Sequence, residues 1–243
     1  MSFVKQLAPY RWLQRMRYRG SARYCPVCRS HVNRFLPHGN PPRADARCPV
    51  CNSLERHRLL WLYLAETTDL FDGRRKRVLH AAPEPYLTRL LRSIPGVNYL
   101  SIDLLPDNAM QQADLTRLQF GDDSFDVIFC SHVLEHIPDD RKAMAELRRV
   151  LHPSGWAILQ VPIRGRVTQE DPSVTSDEER TRLFGQHDHV RYYGADFKDR
   201  LESVGFHVQA DAFASRLPQA TATRMGISGA RSIHFCRKQA GNA

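Results

Sequence analysis

The 243-residue chain is 42% hydrophobic and 25% charged, enough for one α/β domain of about 150–200 residues and a small appendage. No apolar run approaches the roughly 20 residues that span a bilayer. Arginines interrupt the apolar residues at the start of the chain, so it lacks the apolar stretch of a secretion signal. We therefore expect a soluble, cytoplasmic protein that makes no contact with membranes.

Positive charge is concentrated at the beginning of the chain. Residues 1–60 contain 12 Lys and Arg against two acids, a net charge of +10, whereas the remaining residues sum to −1. Such a basic segment favours contact with phosphate or another anion. The alternative is that the charge serves solubility alone.

The first motif along the chain is a repeated tetrapeptide, Cys-Pro-Val-Cys. It supplies Cys25 and Cys28 and, after 19 intervening residues, Cys48 and Cys51. Two tight turns of this kind bring four thiolates around one ion, a tetrahedral set typical of zinc. Because four thiolates fill the coordination shell, we predict a structural zinc ion rather than a catalytic one. Two disulfides are the alternative, which a cytosolic context disfavours.

A helix is predicted directly after the second cysteine pair. Asn52 and Glu55 have the spacing of a capping box, which predicts a helix from about Ser53 to Glu66. This largely apolar helix is expected to dock the zinc module onto the rest of the chain. The nearby histidines are interpreted as ordinary surface residues: His31, His38 and His57.

From residue 77 onward the chain alternates apolar strands with amphipathic helices. Leu87, Leu90, Leu91 and Ile94 recur on one helical face, and Phe125–Cys130 is typical of a buried central strand. The predicted strands are 77–80, 98–102, 125–130, 156–161, 206–213 and 231–237, with helices from Pro85, over 140–151 and over 196–204. This order predicts an α/β fold with a doubly wound, mostly parallel sheet, whose ligands bind beyond the carboxyl ends of the strands.

The turn after the first of these strands disfavours a phosphate-bearing cofactor. Residues 80–85 contain no glycine, include two prolines without N–H groups, and place Glu84 where a phosphate would lie. S-adenosylmethionine carries an ammonium and a sulfonium instead. Glu84 is suited to its ammonium, Asp103 to the ribose hydroxyls and Asp114 to the adenine amine. The alternative for each acid is a solvated turn residue.

Several segments together resemble class I S-adenosylmethionine-dependent methyltransferases, in the branch with a Val-Leu-Glu-His segment, here residues 133–136. The similarity covers roughly residues 74–240 and is most specific over Phe125–Pro162; the other segments are VLHAAPEPYL, YLSIDL and ADLTRL. It implies a seven-stranded sheet that ends in an antiparallel hairpin. The family's first motif is an acid followed by spaced glycines, whereas here His80 takes the acid position and Ala82 and Glu84 take glycine positions. The resemblance implies cofactor contacts at His80, Ala81, Ala82, Glu84, Asp103, Leu104, Asp114, Leu115, Ser131 and His132.

These observations predict two domains. Residues 1–66 form a basic N-terminal arm, a zinc-ribbon-like module and the docking helix. Residues 74–243 form the S-adenosylmethionine-binding methyltransferase domain. An irregular insertion over residues 163–193 follows the fifth parallel strand, and we expect this segment to cover the substrate.

Histidine suits proton removal from a methyl acceptor near neutral pH. We predict as catalytic residues His132, at a strand end, and His187 or His189, in the insertion. His136 is interpreted as structural. A metal held by the three candidate histidines is disfavoured, because no carboxylate partner stands at motif spacing. An acceptor that needs no base is the alternative, anchored through its own acid by an arginine of the insertion: Arg164, Arg166 or Arg191.

The acceptor stays open at this point. The favoured function is methyl transfer to oxygen or nitrogen of a small metabolite or natural-product intermediate. The first alternative is methylation of RNA, with residues 1–60 gripping phosphates; a zinc ribbon before such a domain resembles one group of ribosomal-RNA guanine methyltransferases. The others are a non-catalytic binding protein with a degraded cofactor site and a protein methyltransferase. The pattern leaves the oligomeric state open.

Overall fold

The computed structural model describes residues 8–39, 41–227 and 232–239. Its internal contacts divide the chain into two compact units, each built from three separate segments of the sequence. Unit 1 comprises Met1–Gly73, Pro85–Leu90 and Ala212–Ser232, and unit 2 comprises Arg74–Glu84, Leu91–Asp211 and Ile233–Ala243. The first seven residues of the predicted basic arm, and Arg231 of the last predicted strand, lie outside the described residues.

The beginning of the chain forms two small antiparallel sheets accompanied by two helices, all in unit 1. The elements are α1 (Ala8–Arg17), β1 (Arg23–Cys25), β2 (Ser30–Val32), β3 (Leu36–His38), β4 (Arg43–Arg47) and α2 (Glu55–Thr67). Strand β1 pairs with β2, and β3 pairs with β4. The four cysteines of the repeated motif pack with Val32, Phe35 and Val50. The module is therefore organised around its cysteines rather than around a large apolar core.

The start of α2 differs from the prediction. The helix begins at Glu55, and the capping box of Asn52 and Glu55 is wrong: Asn52 is left-handed, with φ +62°, and its side chain accepts from Arg47. His57 supplies the first-turn contact instead, since its Nδ1 accepts from the N–H of Leu54 at 3.1 Å. His57 is also buried and stacks on Tyr86 with ring centroids 3.8 Å apart, so its interpretation as a surface residue is wrong.

The rest of the chain alternates strands and helices. In chain order these are β5 (Lys76–Ala81), α3 (Pro85–Ser93), β6 (Val97–Asp103), β7 (Gln111–Gln112), β8 (Phe125–Ser131), α4 (Asp140–Val150), β9 (Leu151–Gln160), β10 (Gln169–Glu170), α5 (Asp177–Phe184), β11 (Arg191–Tyr192), α6 (Phe197–Glu202), β12 (Phe206–Asp211), α7 (Phe213–Arg216), α8 (Gln219–Met225) and β13 (Ile233–Lys238). A 3₁₀ turn spans Leu134–His136.

Unit 2 is built on a seven-stranded sheet of order β12-β13-β9-β8-β5-β6-β7. Strands β7, β6, β5, β8 and β9 run parallel, whereas β13 is antiparallel to both of its neighbours. This confirms the predicted mostly parallel sheet with an antiparallel edge hairpin. Because the chain runs outward from β5 to β7 and then returns to β8, the topological switch point lies between β5 and β8.

The central strand β8 is buried on both faces. Ile128 belongs to the core that also contains Leu147 of α4 and Leu201 of α6. Phe129 points to the other face, where its ring lies 5.7 Å from that of Trp156. Burial on both sides explains the uninterrupted apolar sequence of this strand, and it fixes the strand end where the candidate site lies.

Strand β9 begins earlier than predicted. The predicted strand covers residues 156–161, whereas the strand in the structure starts at Leu151, directly after α4. The register against β8 shifts between Phe125 and Val127, which accommodates the proline. A Cβ on Gly155 would lie 2.6 Å from the carbonyl oxygen of Asp126, so glycine permits the close approach of the two strands.

Two short helices, α7 and α8, separate the last two strands, and we call the segment from 212 to 232 the helical excursion. Strand β12 ends at Asp211, and the predicted extension to Phe213 is wrong, because Phe213 begins α7. Its ring packs edge-on against Tyr63 of α2, with centroids 5.5 Å apart, within unit 1. Across the described part of the chain, no helix combines the length and apolar character that crossing a membrane requires.

Candidate functional site

The four cysteines of the repeated motif form one cluster. Their sulfur atoms lie within 4.8 Å of one another, with Cys25 to Cys51 at 3.7 Å and Cys28 to Cys48 at 3.8 Å. A disulfide requires about 2.05 Å, so these are free thiols. A tetrahedral zinc ion with Zn–S bonds of about 2.3 Å separates its sulfurs by about 3.8 Å. The cluster therefore has the dimensions of a zinc shell.

The surroundings of the cluster also suit bound thiolates. Ser53 Oγ lies 3.2 Å from the sulfurs of both Cys25 and Cys51, where its hydroxyl donates to one of them. The guanidinium of Arg58 is fully buried among neutral carbonyl oxygens of unit 1 and lies 4.1 Å from the centre of the Phe35 ring. Burial lowers the pKa of Arg58, whereas the thiolates of Cys25 and Cys48 raise that pKa. Arg58 thus offsets part of the negative charge of a filled shell.

In unit 2, the turn after β5 has the backbone shape that glycine normally provides. Ala82 has φ +47°, in the left-handed region, and its N–H donates to the carbonyl of Ile102 at 2.8 Å. His80 is buried beneath this turn: its Nε2 accepts from the N–H of Glu84 at 3.4 Å, and its Nδ1 lies 3.1 Å from the Tyr99 hydroxyl. Burial lowers the pKa of His80 to about 4, so the ring is neutral. His80 and the equally buried Ala81 therefore shape the turn from below.

Asp103 ends β6, the strand next to β5. Its Oδ1 accepts from the N–H of Leu105 at 2.9 Å. Its Oδ2 has no hydrogen-bond partner within the described residues. The next side chain, Leu104, is 65% exposed, and Leu105 and Met110 are similarly exposed. The half-buried carboxylate can accept hydrogen bonds from a ligand's hydroxyl groups, and the exposed apolar side chains beside it can contact an aromatic ring of the same ligand.

The remaining predicted cofactor residues differ in accessibility. Asp114 is exposed, and its Oδ1 accepts from both the N–H and the hydroxyl of Thr116. Leu115 packs its side chain into the core, so only its backbone is available to a ligand. Ser131 ends β8 and is half-buried. Since β8 and β6 flank β5 in register, Ser131, Ala82 and Asp103 share the carboxyl edge of the sheet at the switch point.

His132 follows Ser131 in a left-handed conformation, with φ +57°. Its N–H donates to Gln160 at the end of β9, at 2.8 Å. Its Nδ1 lies 3.4 Å from Oε1 of Glu135, a carboxylate whose side chain is only 2% exposed. A histidine oriented by a buried carboxylate is an arrangement suited to proton removal.

The two histidines predicted in the insertion lie in different environments. His187 is exposed and makes no contact with the other candidates among the described residues. His189 is buried and lies with Glu135 and His136, with one ligand atom of each within 4.8 Å of the others. Glu135 is not among the residues predicted from the sequence, and His136 was interpreted as structural. The adjacent Glu135 and His136 could have indicated this cluster, but His189, its third member, is distant in the sequence.

Arg191, predicted as an anchor for an acidic substrate, is occupied by the protein itself. Its guanidinium donates to the carbonyls of Leu134, Ile137 and Pro138 and to the Glu170 carboxylate. Its side chain is 4% exposed. Arg191 therefore fixes the turn after β8 rather than receiving a substrate.

The sheet order and this carboxyl edge define the class of the fold. It is the Rossmann-like fold of class I S-adenosylmethionine-dependent methyltransferases, with a small cysteine-containing module. Residues 86–159 match the methyltransferase domain family. That segment contains most of the predicted cofactor residues, from Asp103 to His132.

Two curated relatives match short segments of this chain. The chain is 43% identical over 53 residues to the ubiquinone/menaquinone biosynthesis C-methyltransferase UbiE of Bdellovibrio bacteriovorus, covering 22% of this chain and 23% of that protein. It is 43% identical over 54 residues to the methyltransferase GfsG of Streptomyces halstedii, covering 22% and 19%. The matches thus span about a fifth of these relatives.

One solved structure resembles the fold over a longer stretch. It is a complex between the Haloferax volcanii Trm112 methyltransferase activator and a putative methyltransferase, with TM-score 0.51 and 18% identity. The match covers 76% of this chain and 92% of the other. At this identity it supports the fold alone.

Proposed function

We propose that the protein is an S-adenosylmethionine-dependent methyltransferase that transfers a methyl group to oxygen or nitrogen of a small molecule. The observation that carries this proposal is the carboxyl edge at the switch point. There Asp103 offers a carboxylate oxygen that has no partner among the described residues, the Ala82 turn lacks the N–H groups that a pyrophosphate needs, and His132 stands at the neighbouring strand end.

Each residue has a role that its position supports. The Asp103 carboxylate accepts from the ribose hydroxyls, and the exposed side chain of Leu104 covers one face of the adenine. Glu84 receives the ammonium, and Asp114 with the backbone of Leu115 meets the edge of the base. Ala82 and Ser131 line the floor. When bound, S-adenosylmethionine supplies the activated methyl group.

His132 is the residue best placed to take a proton from the acceptor. Glu135 faces Nδ1 and so orients the ring, which leaves Nε2 as the nitrogen available for the proton. His189 belongs to the neighbouring cluster, and the exposed His187 has no such orienting partner among the described contacts.

We further propose that Cys25, Cys28, Cys48 and Cys51 hold a structural zinc ion. Four buried thiols at tetrahedral spacing leave no position open for substrate, so the ion contributes to folding rather than to chemistry.

Titration calorimetry with S-adenosylmethionine tests the cofactor site. We expect wild-type protein to bind in the micromolar range, and Asp103→Ala to bind at least about tenfold more weakly because a charge-assisted pair is lost. Asp107→Ala, an exposed acid of the same loop, is the matched control and should bind like wild type. No detectable binding by the wild type would favour a non-catalytic protein.

The acceptor class is tested with cofactor labelled on its methyl group. We expect label to enter the small-molecule fraction of a cell extract and not the RNA fraction. Label in RNA, in a reaction that weakens steeply with added salt, would instead assign the basic N-terminal module to phosphate binding.

A further inference from the structure

Beside the candidate cofactor edge, Glu135, His136 and His189 each present a ligand atom, and these three atoms lie within 4.8 Å of one another. We propose that this cluster is a second metal site, which binds a divalent first-row transition ion. The proposal does not depend on methyl transfer, because it concerns binding of the ion alone.

Two of the three side chains carry buried atoms that nothing in the described structure satisfies. Oε2 of Glu135 and Nε2 of His189 are buried without a hydrogen-bond partner among the described residues. The two residues are 2% and 3% exposed, respectively. A buried carboxylate oxygen or imidazole nitrogen left unpaired is costly, and a cation between them removes that cost.

The other nitrogen or oxygen atom of each of the three side chains already faces a protein partner, so one atom of each is left for an ion. His189 Nδ1 lies 3.0 Å from the carbonyl of Phe184, so it carries the proton and Nε2 keeps its lone pair. His136 Nδ1 faces Asp188, with the carboxylate oxygen at 3.2 Å, which leaves its own Nε2. Glu135 Oε1 faces His132. This pattern of outer partners is typical of metal-binding histidines and carboxylates.

The backbone around the cluster is held in place before any ion arrives. Arg191 donates to the carbonyls of Leu134, Ile137 and Pro138, which bracket Glu135 and His136. The N–H of Val190 donates to the carbonyl of Glu135 at 2.9 Å, tying the insertion to the 3₁₀ turn. The three ligands come from two segments that these bonds lock together.

The ligand set indicates the kind of ion. Two imidazoles and one carboxylate favour divalent transition metals over Mg²⁺ or Ca²⁺, which prefer oxygen ligands alone. Three protein ligands leave coordination positions open for water or an oxygen of a bound molecule. The cluster thus differs from the four-cysteine shell, which is full.

The test uses full-length protein whose cysteine site is already loaded with zinc, titrated with Co²⁺. We expect one further equivalent, with visible d–d bands of nitrogen and oxygen ligation and no thiolate charge-transfer band. Glu135→Gln and His189→Gln should bind Co²⁺ at least about tenfold more weakly, whereas the exposed control His187→Gln should match wild type. Binding that survives both ligand substitutions would overturn the proposal.

A second measurement on unmodified protein guards against variants that fail to fold. Electron spin echo spectra of the Mn²⁺-loaded wild type should contain couplings from imidazole nitrogen. Their absence, or the absence of a further equivalent of metal, would mean that the cluster is no metal site.

Discussion

His80 takes the position where the resembling family carries an acid, and its surroundings keep it neutral. Both ring nitrogens face partners, Tyr99 and the N–H of Glu84, and burial lowers its pKa from 6.5 to about 4. As the pH is lowered, this histidine is protonated at a higher pH in the unfolded chain than in the folded protein. The unfolded state therefore binds more protons than the folded state between these two pH values, so the free energy of unfolding decreases as the pH falls through this range.

Replacing His80 by glutamine should remove this pH dependence. Because the folded-state pKa lies below that of the unfolded chain, the contribution is complete above pH 6.5 and is lost as the pH falls towards 4. We expect wild type to lose roughly 3 kcal/mol more than His80→Gln over this range. Urea unfolding at a series of pH values measures the difference. His234, whose pKa burial also lowers to about 4, gives both proteins the same residual slope; identical pH profiles would contradict the account.

Residues whose chemistry depends on local spacing could be predicted from the sequence. The four cysteines come together as their motif indicates, and Asp103, Ser131 and His132 lie at strand ends. The cluster of Glu135, His136 and His189 could not be predicted. His189 is separated from Glu135 and His136 by α4, β9 and most of the insertion, and tertiary contacts such as those of Arg191 hold the two segments together.

At the scale of elements, apolar periodicity predicted which segments are strands but not where each begins. The start of β9 was misplaced because Pro153 and Gly155 are typical of a break, whereas the register shift against β8 accommodates both. The cap of α2 was misplaced for a different reason. Asn52 accepts from Arg47, and the tertiary position of His57 decides where the helix starts.

The glycine in β9 provides a test of this close strand approach. Gly155→Ala would place its Cβ 2.6 Å from the Asp126 carbonyl oxygen, a backbone atom that cannot move away freely. We expect a loss of about 1–3 kcal/mol in the free energy of unfolding, measured in urea. The matched control is Gly121→Ala: the nearest described atom to its Cβ is Ser124 Oγ at 3.7 Å, so the free energy of unfolding should stay within about 0.5 kcal/mol of wild type. Equal effects of the two substitutions would refute the assigned contact.

At the scale of the whole molecule, unit 1 is assembled from segments far apart in the sequence. Arg58 of α2 donates to the carbonyls of Met225 and Gly226, which belong to the excursion between β12 and β13. The sequence of helices inserted between two edge strands does not indicate which part of the chain they will pack against. Within the segment between β12 and β13, the sequence indicates one feature: the end of α8 at Gly226, a glycine with φ +58°.

Removal of the proposed zinc ion should unfold the small sheets of unit 1 while leaving the large sheet folded, because the cysteine-containing module has little apolar core apart from its cysteines. Hydrogen exchange after chelation should show loss of protection over β1–β4 and retained protection in β8. Cys48→Ser should reproduce the loss and reduce bound zinc, whereas Cys130→Ala, a buried cysteine of the large sheet, should leave the zinc content unchanged. Full protection of β1–β4 without metal would contradict a structural role.

The most direct test of the proposed cofactor site is a crystal structure of the protein with S-adenosylhomocysteine. We predict the nucleoside at the carboxyl ends of β5, β6 and β8, with both ribose hydroxyls on the Asp103 carboxylate and the sulfur facing His132. A nucleoside bound away from these strand ends, with Asp103 still open to water, would contradict the proposed site.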